Sequence, residues 1–280
     1  MHELCDLTPY TLQCFVTELL QNGNLKTEQG LAANTVNSII TVIQNSLKTA
    51  FTLGLISEYT ADRIKRPKAQ EKTIECFSSA EQKQIENYVL ASEKNHLFGI
   101  LLCLYTGLRL GELLALEWTD IDFSKAELTV NKTCHDGKDE NGVFRRITDT
   151  PKTTSSIRTI PIPKQLLPHL KAAKRKSHST YVVSNGKKIM AFRSYQRTFD
   201  CLLKKLNIPH RGFHSLRHTF ATFLFEADVD EKTAMFYLGH TSPEMTRDLY
   251  AHLREEQMRR SDTKLHEYFK RFQPGSNDHT

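Results

Sequence analysis

His214-Ser215-Leu216-Arg217-His218 runs straight into Thr219-Phe220-Ala221-Thr222. Taken as the opening turns of a helix, this stretch sets His214 and Arg217 at i and i+3. An imidazole and a guanidinium then face one side, at an end where backbone N–H groups already favour an anion. His214 and His218 are i,i+4 neighbours, the spacing of a zinc pair. The glutamate of an HExxH site is absent, however, and the cationic Arg217 stands between them, so no metal is expected. By itself the stretch also fits a capped helix with exposed polar residues, and its neighbours on either side decide between the two.

Downstream, in Leu238-Gly239-His240, Gly239 is placed to end a helix over Lys232–Leu238 and turn the imidazole outward. A further helix, capped at Thr241 or Ser242 with Pro243 in its first turn, carries Tyr250 between Leu249 and Ala251, where a half-buried packing tyrosine is equally natural. Upstream, Thr106-Gly107-Leu108-Arg109-Leu110-Gly111-Glu112 puts an arginine at a turn-to-helix junction with a carboxylate one turn later. Either Arg109 binds phosphate oxygens and Glu112 orients it, or the two form a structural ion pair. Pro151-Lys152-Thr153-Thr154 sets a lysine in a turn. The alternating Glu127–Lys132 and Ser156–Pro161 read as strands of a hairpin or three-stranded sheet, with the polar Asp136–Gly142 as a loop of unassigned role.

At 280 residues the chain is too long for one ordinary core and suits two domains. Its 12 glycines and 9 prolines are fewer than usual, so helices should dominate. The fold class expected is mainly α with a small antiparallel β-sheet, an α+β protein. Residues 1–66 read as a small helical domain. Leu12, Phe15, Val16, Leu19 and Leu20 form one helical face, and Val36, Ile39, Ile40, Ile43, Leu47 and Phe51 another between an Asn34 cap and Gly54. Residues 67–76 read as a linker. The larger domain, 77–273, opens with the Ser78-x-x-Glu81 capping-box pattern, and 274–280 reads as a flexible tail.

No apolar run approaches the roughly 20 residues that span a bilayer, and the N-terminus lacks a signal pattern. Six scattered cysteines without a CxxC pair fit a reducing, intracellular compartment. The net charge of +6 is unevenly spread, because Val143 to Arg217 holds 17 Lys or Arg and two acids. Such a stretch is either a solvated basic surface or the footprint of a polyanion, with nucleic acid the first candidate. Arg63, Lys65, Arg66 and Lys68 beside the linker are placed either to track phosphates or to solvate an ordinary linker.

Taken in order, Arg109 with Glu112, Lys152, His214-x-x-Arg217, Leu238-Gly239-His240 and Tyr250 resemble the catalytic set of the tyrosine recombinase, or phage integrase, family. The match runs from about Phe77 to Tyr250 with no position substituted, and the overall look is most similar to integrases of conjugative transposons. The resemblance implies an N-terminal core-binding domain and a C-terminal catalytic domain. One departure is that nothing before Thr8 can hold the additional arm-binding domain such integrases carry, which leaves either a truncated form or a simpler relative.

The implied activity is site-specific cleavage and rejoining of double-stranded DNA through a 3′-phosphotyrosyl intermediate, integrating and excising a mobile element in a prokaryotic cytoplasm, at the nucleoid. Arg109, Arg217, His214 and His240 would stabilise the transferring phosphoryl group, Lys152 would protonate the leaving 5′ oxygen, and Tyr250 would attack. No cofactor or metal is implied, and no GxxxxGK[ST] loop for ATP is present. Lys164, Lys171, Lys174, Arg175, Lys187, Lys188, Arg193 and Arg197 would contact DNA phosphates. Dimers to tetramers on DNA are implied, as is an accessory excision factor. The segment Glu256–Phe272, with Leu265, Tyr268, Phe269 and Phe272 at helical spacing, either docks on a neighbouring protomer or folds back. The rival readings are a type IB topoisomerase and a non-catalytic DNA-binding protein of the same fold.

Overall fold

The computed structural model describes residues 7–69, 75–138, 144–149, 157–185, 188–240 and 242–270, without the side chains of 138, 144, 145, 185, 188, 252, 256, 257, 260, 265 and 268–270. The chain divides into two compact units, Met1–Thr73 and Ile74–Thr280.

The first unit is helical. Thr8 caps α1 (Pro9–Asn22), its Oγ1 accepting from the Thr11 N–H at 3.2 Å. The long helix α2 (Ala33–Thr52) is capped at Ala32, two residues before the expected Asn34, because the Ala32 carbonyl already accepts from Thr35 and Val36. Leu12 and Val16 of α1 pack with Val36, Ile40 and Leu47 of α2, and the 3₁₀ turn Ala61–Arg63 closes the core with Ala61 and Ile64. Phe15 and Phe51, expected in these stripes, are 41% and 47% exposed.

In the second unit Ser78 and Glu81 make a reciprocal capping box on α3 (Ser79–Ala91). The core is centred on α4 (Phe98–Thr106), whose residues are buried on nearly every side. An eight-residue apolar run with no polar face can only be an interior helix. Gly107 ends it with φ 65°, and α5 (Leu110–Ala115) follows.

Three short strands, β1 (Ile121–Asp122), β2 (Glu127–Val130) and β5 (Arg158–Pro161), form an antiparallel sheet of order β1-β2-β5. Leu128 pairs with Ile160 and Val130 with Arg158, all four buried on one face. Between β2 and β5 lies a separate hairpin, β3 (Thr133–Lys138) with β4 (Phe144–Asp149). The expectation of a loop from Asp136 is therefore corrected: 136–138 are strand, and 139–143 lie outside the described residues. His135, Asp136 and Gly137 give no apolar alternation. The strand is held by ladder hydrogen bonds and by Arg146, which grips Asp136 at 2.7 Å, donates to the Met190 carbonyl at 2.5 Å and lies 5.0 Å over the Phe192 ring.

Helices complete the unit: α6 (Leu167–Lys176), α7 (Phe192–Lys205), α8 (Ser215–Glu226), α9 (Glu231–Leu238) and α10 (Pro243–Lys270). The small strands β6 (Ser184–Asn185) and β7 (Lys188–Ile189) precede α7. Tyr181 makes an isolated bridge to Glu117. The segment Glu256–Phe272 continues α10 as far as Lys270; Phe272 lies outside the described residues, as do the side chains of 265, 268 and 269. The architecture is mainly helical with small antiparallel sheets, as the sequence indicates. Among the described residues no helix is long and apolar enough to cross a membrane.

Candidate active site

The last turn of α9 organises the polar centre. Helix ends leave carbonyls without intrahelical partners. Here three successive ones, at 237, 238 and 239, each accept from a different arginine. Arg158 Nε donates to the Tyr237 carbonyl at 2.9 Å, Arg217 Nη2 to that of Leu238, and Arg109 Nη2 to that of Gly239 at 2.7 Å. Each guanidinium reaches this turn from a different element. Arg109 is the N-cap residue of α5, Arg158 opens β5, and Arg217 sits in the first turn of α8.

Gly239 adopts φ 61°, the left-handed conformation that brings the terminal carbonyls round and that side chains disfavour. A Cβ there would lie 2.7 Å from Arg158 Nη1. Gly107, at φ 65°, supplies a further anchor, since its carbonyl accepts from Arg217 Nη1 at 2.8 Å.

Glu112 is shared. Its carboxylate takes a bidentate pair from Arg158 at 3.0 and 2.7 Å and one bond from Arg109 Nη1 at 3.0 Å, and accepts from the Arg109 backbone N–H at 2.8 Å. Burial alone would raise this carboxyl. Arg158 first and Arg109 second outweigh it and hold the group below the ordinary carboxylate range. Arg217 is 3% exposed and has no carboxylate partner among the described residues. Burial first, then Arg109, pushes it down to about 9, so it remains charged at neutral pH.

His214 precedes α8, and its ring meets that of His218 edge to face, 4.7 Å between centroids. Burial, then His218, Arg217 and Arg109, push His214 down to about 4. His240 follows Gly239, and its Nδ1 lies 2.8 Å from Thr246 Oγ1. Burial, then Arg217, Arg109 and His214, push it to about 4 as well. Arg109 and Arg217 hold adjacent carbonyls, those of 239 and 238, with His240 next in the chain and His214 three residues before Arg217, so the four make one cationic cluster, and with both histidines held at about 4 their imidazoles are neutral at pH 7.

Tyr250 stands elsewhere. Its side chain is 3% exposed, its ring meets Phe225 at 5.3 Å, and its hydroxyl donates to the Val229 carbonyl at 3.2 Å. Burial, then Asp230 and Glu231, raise the phenol to about 12. Val229 precedes α9, whereas the arginines gather at its far end, and an eight-residue helix rises about 12 Å. Lys152 lies outside the described residues.

The basic residues expected on DNA are placed variously. Arg66 binds the Asn37 carbonyl, Thr41 and Gln44 of α2, and Arg63 pairs with Glu58 at 3.2 Å. Lys65 and Lys68 are exposed. Lys164, just before α6, and Lys171, Lys174 and Arg175 on it are exposed, with Lys174 5.0 Å over the Phe123 ring. Arg193 and Arg197 lie on the outer face of α7, opposite the buried Tyr195 and Phe199. Lys187 and the Lys188 side chain lie outside the described residues. No group of three His, Cys, Asp or Glu able to hold a metal occurs among the described residues.

Two residues of this centre escaped the sequence reading, Arg158 and Thr246. A signal for Arg158 was present, because it shares the core-facing parity of its strand with Ile160, and an arginine there demands a buried anion.

Residues 69–257 match the phage integrase family. A tyrosine recombinase XerC-like protein of Caldanaerobacter subterraneus is 34% identical, over 86% of this chain and 68% of its own length. The ICEBs1 integrase of Bacillus subtilis is 28% identical over 85% and 67%, and the Tn916 transposase of Enterococcus faecalis 27% over 80% and 60%. Against these three, then, the chain spans between 60% and 68% of the relative's length. Among solved structures, the Tn1549 transposon integrase in complex with transposon right end DNA superposes with a TM-score of 0.75 at 21% identity, covering 92% of this chain and 87% of that one. A lambda integrase dimer bound to a COC′ core site gives 0.62 at 19% identity, covering 89% and 81%. The fold and the sequence agree: this chain belongs to the phage integrase family and is a tyrosine-type site-specific recombinase.

Proposed function

We propose that the cationic pocket receives the scissile phosphodiester of a double-stranded recombination site belonging to a mobile element. The observation that carries this reading is Arg217, a charge 3% exposed that no described carboxylate neutralises. Burying such a group is costly unless an anion completes it. Arg109 and Arg217 bind the two non-bridging oxygens, and His240 and His214, neutral before binding, serve as hydrogen-bond partners that can take up charge as the phosphoryl group becomes pentavalent.

The Tyr250 phenolate oxygen forms the new P–O bond while the bond to the 5′ oxygen breaks. The phenol proton passes to a base, a role given to His214, and Lys152 protonates the departing 5′ oxygen. Where Tyr250 now rests, with a pKa of about 12, about one phenol in 10⁵ is ionised at pH 7. Cleavage therefore requires the first turns of α10 to leave Val229 and carry the hydroxyl to the arginines, or a second copy to supply its tyrosine. Religation reverses the step with a new 5′ hydroxyl and needs no ATP.

Residues 1–66 act as the core-binding domain, joined by a linker over 67–76 to the catalytic domain at 77–273. Lys171, Lys174, Arg175, Arg193 and Arg197 add phosphate contacts. The assembly on DNA is a dimer to tetramer, a reading that the lambda integrase dimer on its core site and its tetramer on a Holliday junction support, and it works with an accessory excision factor. The end of α10 docks on a neighbouring protomer. The test is trapping on a nicked suicide substrate: the native chain should form a gel-stable covalent adduct and Tyr250→Phe none. An equal adduct from both would remove Tyr250 as nucleophile.

A further inference from the structure

We propose that Arg158 is a positioning residue for strand cleavage, acting through Glu112 on Arg109 and through the Tyr237 carbonyl on the turn that carries His240. The inference rests on the reading that Arg109 contacts the scissile phosphate. All the nitrogens of the Arg158 guanidinium are engaged: Nη1 and Nη2 on the Glu112 carboxylate at 3.0 and 2.7 Å, and Nε on the Tyr237 carbonyl at 2.9 Å. With side-chain exposures of 4% and 8%, Arg158 and Glu112 are walled off from water, so their geometry is fixed by each other. Arg109 is 38% exposed and shares only one Glu112 oxygen through its side chain, which leaves it open toward an incoming phosphate.

Removing Arg158 would change this in two ways. Glu112 would lose the partner that contributes most to keeping it ionised, and the carboxylate left behind would turn wholly to Arg109, neutralising the charge meant for the phosphate. The Tyr237 carbonyl would also lose its donor, freeing the start of the Leu238-Gly239-His240 turn. Lysine cannot substitute, since a single ammonium cannot span both carboxylate oxygens and the carbonyl in one plane.

The experiment measures covalent adduct formation on the nicked substrate across protein concentrations, so that the saturated cleavage rate and the half-saturating concentration separate. Arg158→Lys and the neutral pair replacement Glu112→Gln with Arg158→Met are compared with the native chain and with Arg109→Ala. The pair replacement leaves no unpaired buried charge and keeps the variant foldable, which melting and DNA binding verify.

A displaced reacting group costs on the order of 100-fold in rate, so the saturated rate should fall by about that factor in both variants. Half-saturation should stay within about threefold, because phosphate contacts set affinity elsewhere. Free guanidinium added to Arg158→Ala should restore part of the rate. A native rate in the folded Arg158→Lys and pair variants, with Arg109→Ala inactive, overturns the proposal and leaves the reading of Arg109 intact. A loss confined to half-saturation, without guanidinium rescue, also overturns it. If Arg109→Ala itself cleaves like the native chain, the reading of the pocket fails instead.

Discussion

Gly239→Ala should damage the second unit far more than a Gly→Ala change ordinarily does. Two terms add. The residue sits at φ 61°, and moving an L side chain into that region costs about 1–2 kcal/mol. The new Cβ would also lie 2.7 Å from Arg158 Nη1 and 2.8 Å from Cζ. That guanidinium is no mobile tip, being tied to both Glu112 oxygens and to the Tyr237 carbonyl at 2.7 to 3.0 Å. Restoring an ordinary contact requires it to retreat by about 0.7 Å, which stretches a charge-assisted bond worth about 1.5–3 kcal/mol. The sum is about 3–4 kcal/mol, which at roughly 3 °C per kcal/mol for a unit of this size lowers its Tm by about 10 °C. Gly212→Ala is the control, because a Cβ there meets nothing within 4 Å. Differential scanning calorimetry of both variants decides the matter. If Gly239→Ala melts within 2 °C of Gly212→Ala, as an order-of-magnitude threshold, the account of the α9 terminus is wrong.

Three further outcomes are expected. His214 and His240 are each held down at about 4, so the folded state binds fewer protons than the unfolded one between about pH 4 and 6.5. Stability is therefore full above about 6.5 and declines as pH falls toward 4. Melting temperatures across that range should show the fall, and a bound cleavable duplex should flatten it; an unchanged slope with DNA would separate these histidines from the phosphate. Lys152→Ala should slow cleavage by about 100-fold or more, and a 5′-bridging sulfur should restore it because a thiolate leaves without a proton; failure of sulfur to rescue removes Lys152 as the acid. Replacing Lys171, Lys174 and Arg175 by Ala should reduce the slope of log affinity against log salt by up to about 3 without altering site preference, and an unchanged slope would place α6 off the DNA.

The sequence made legible whatever depends on local periodicity and capping. The stripes of α1 and α2, the Ser78 capping box, the turn before Arg109 and the glycine stop at 239 all rest on interactions within a few residues of one another. What it hid depends on distant partners. The β3–β4 hairpin is mostly polar and is held through the buried Cys134 against α5 and through Arg146 reaching Asp136, Met190 and Phe192. Arg158 was lost among its basic neighbours, although the parity of its strand marked it as inward. The resting place of Tyr250 is set by Phe225 and Val229 on other segments, and periodicity can say only that this residue is half a helix face from solvent.

Why carbonyls hold these arginines, where carboxylates would bind them more tightly, follows from what the pocket must do. A carboxylate on each guanidinium would cancel a full charge and compete with the phosphate for the same nitrogens. Of the three guanidiniums here, two share the single carboxylate of Glu112; all three take anchors from the C-terminal turn of α9, and Arg217 takes a further one from Gly107. A helix terminus presents only about half a negative charge, spread over its last carbonyls. Such dipoles fix direction while leaving most of the positive charge unspent. The surplus is what a pentavalent phosphorus, gathering negative charge on its equatorial oxygens, can draw on without waiting for side chains to reorient. The placement of Gly239 then follows, because a left-handed residue there turns its own carbonyl to Arg109 beside the two helical carbonyls, at 237 and 238, that Arg158 and Arg217 hold.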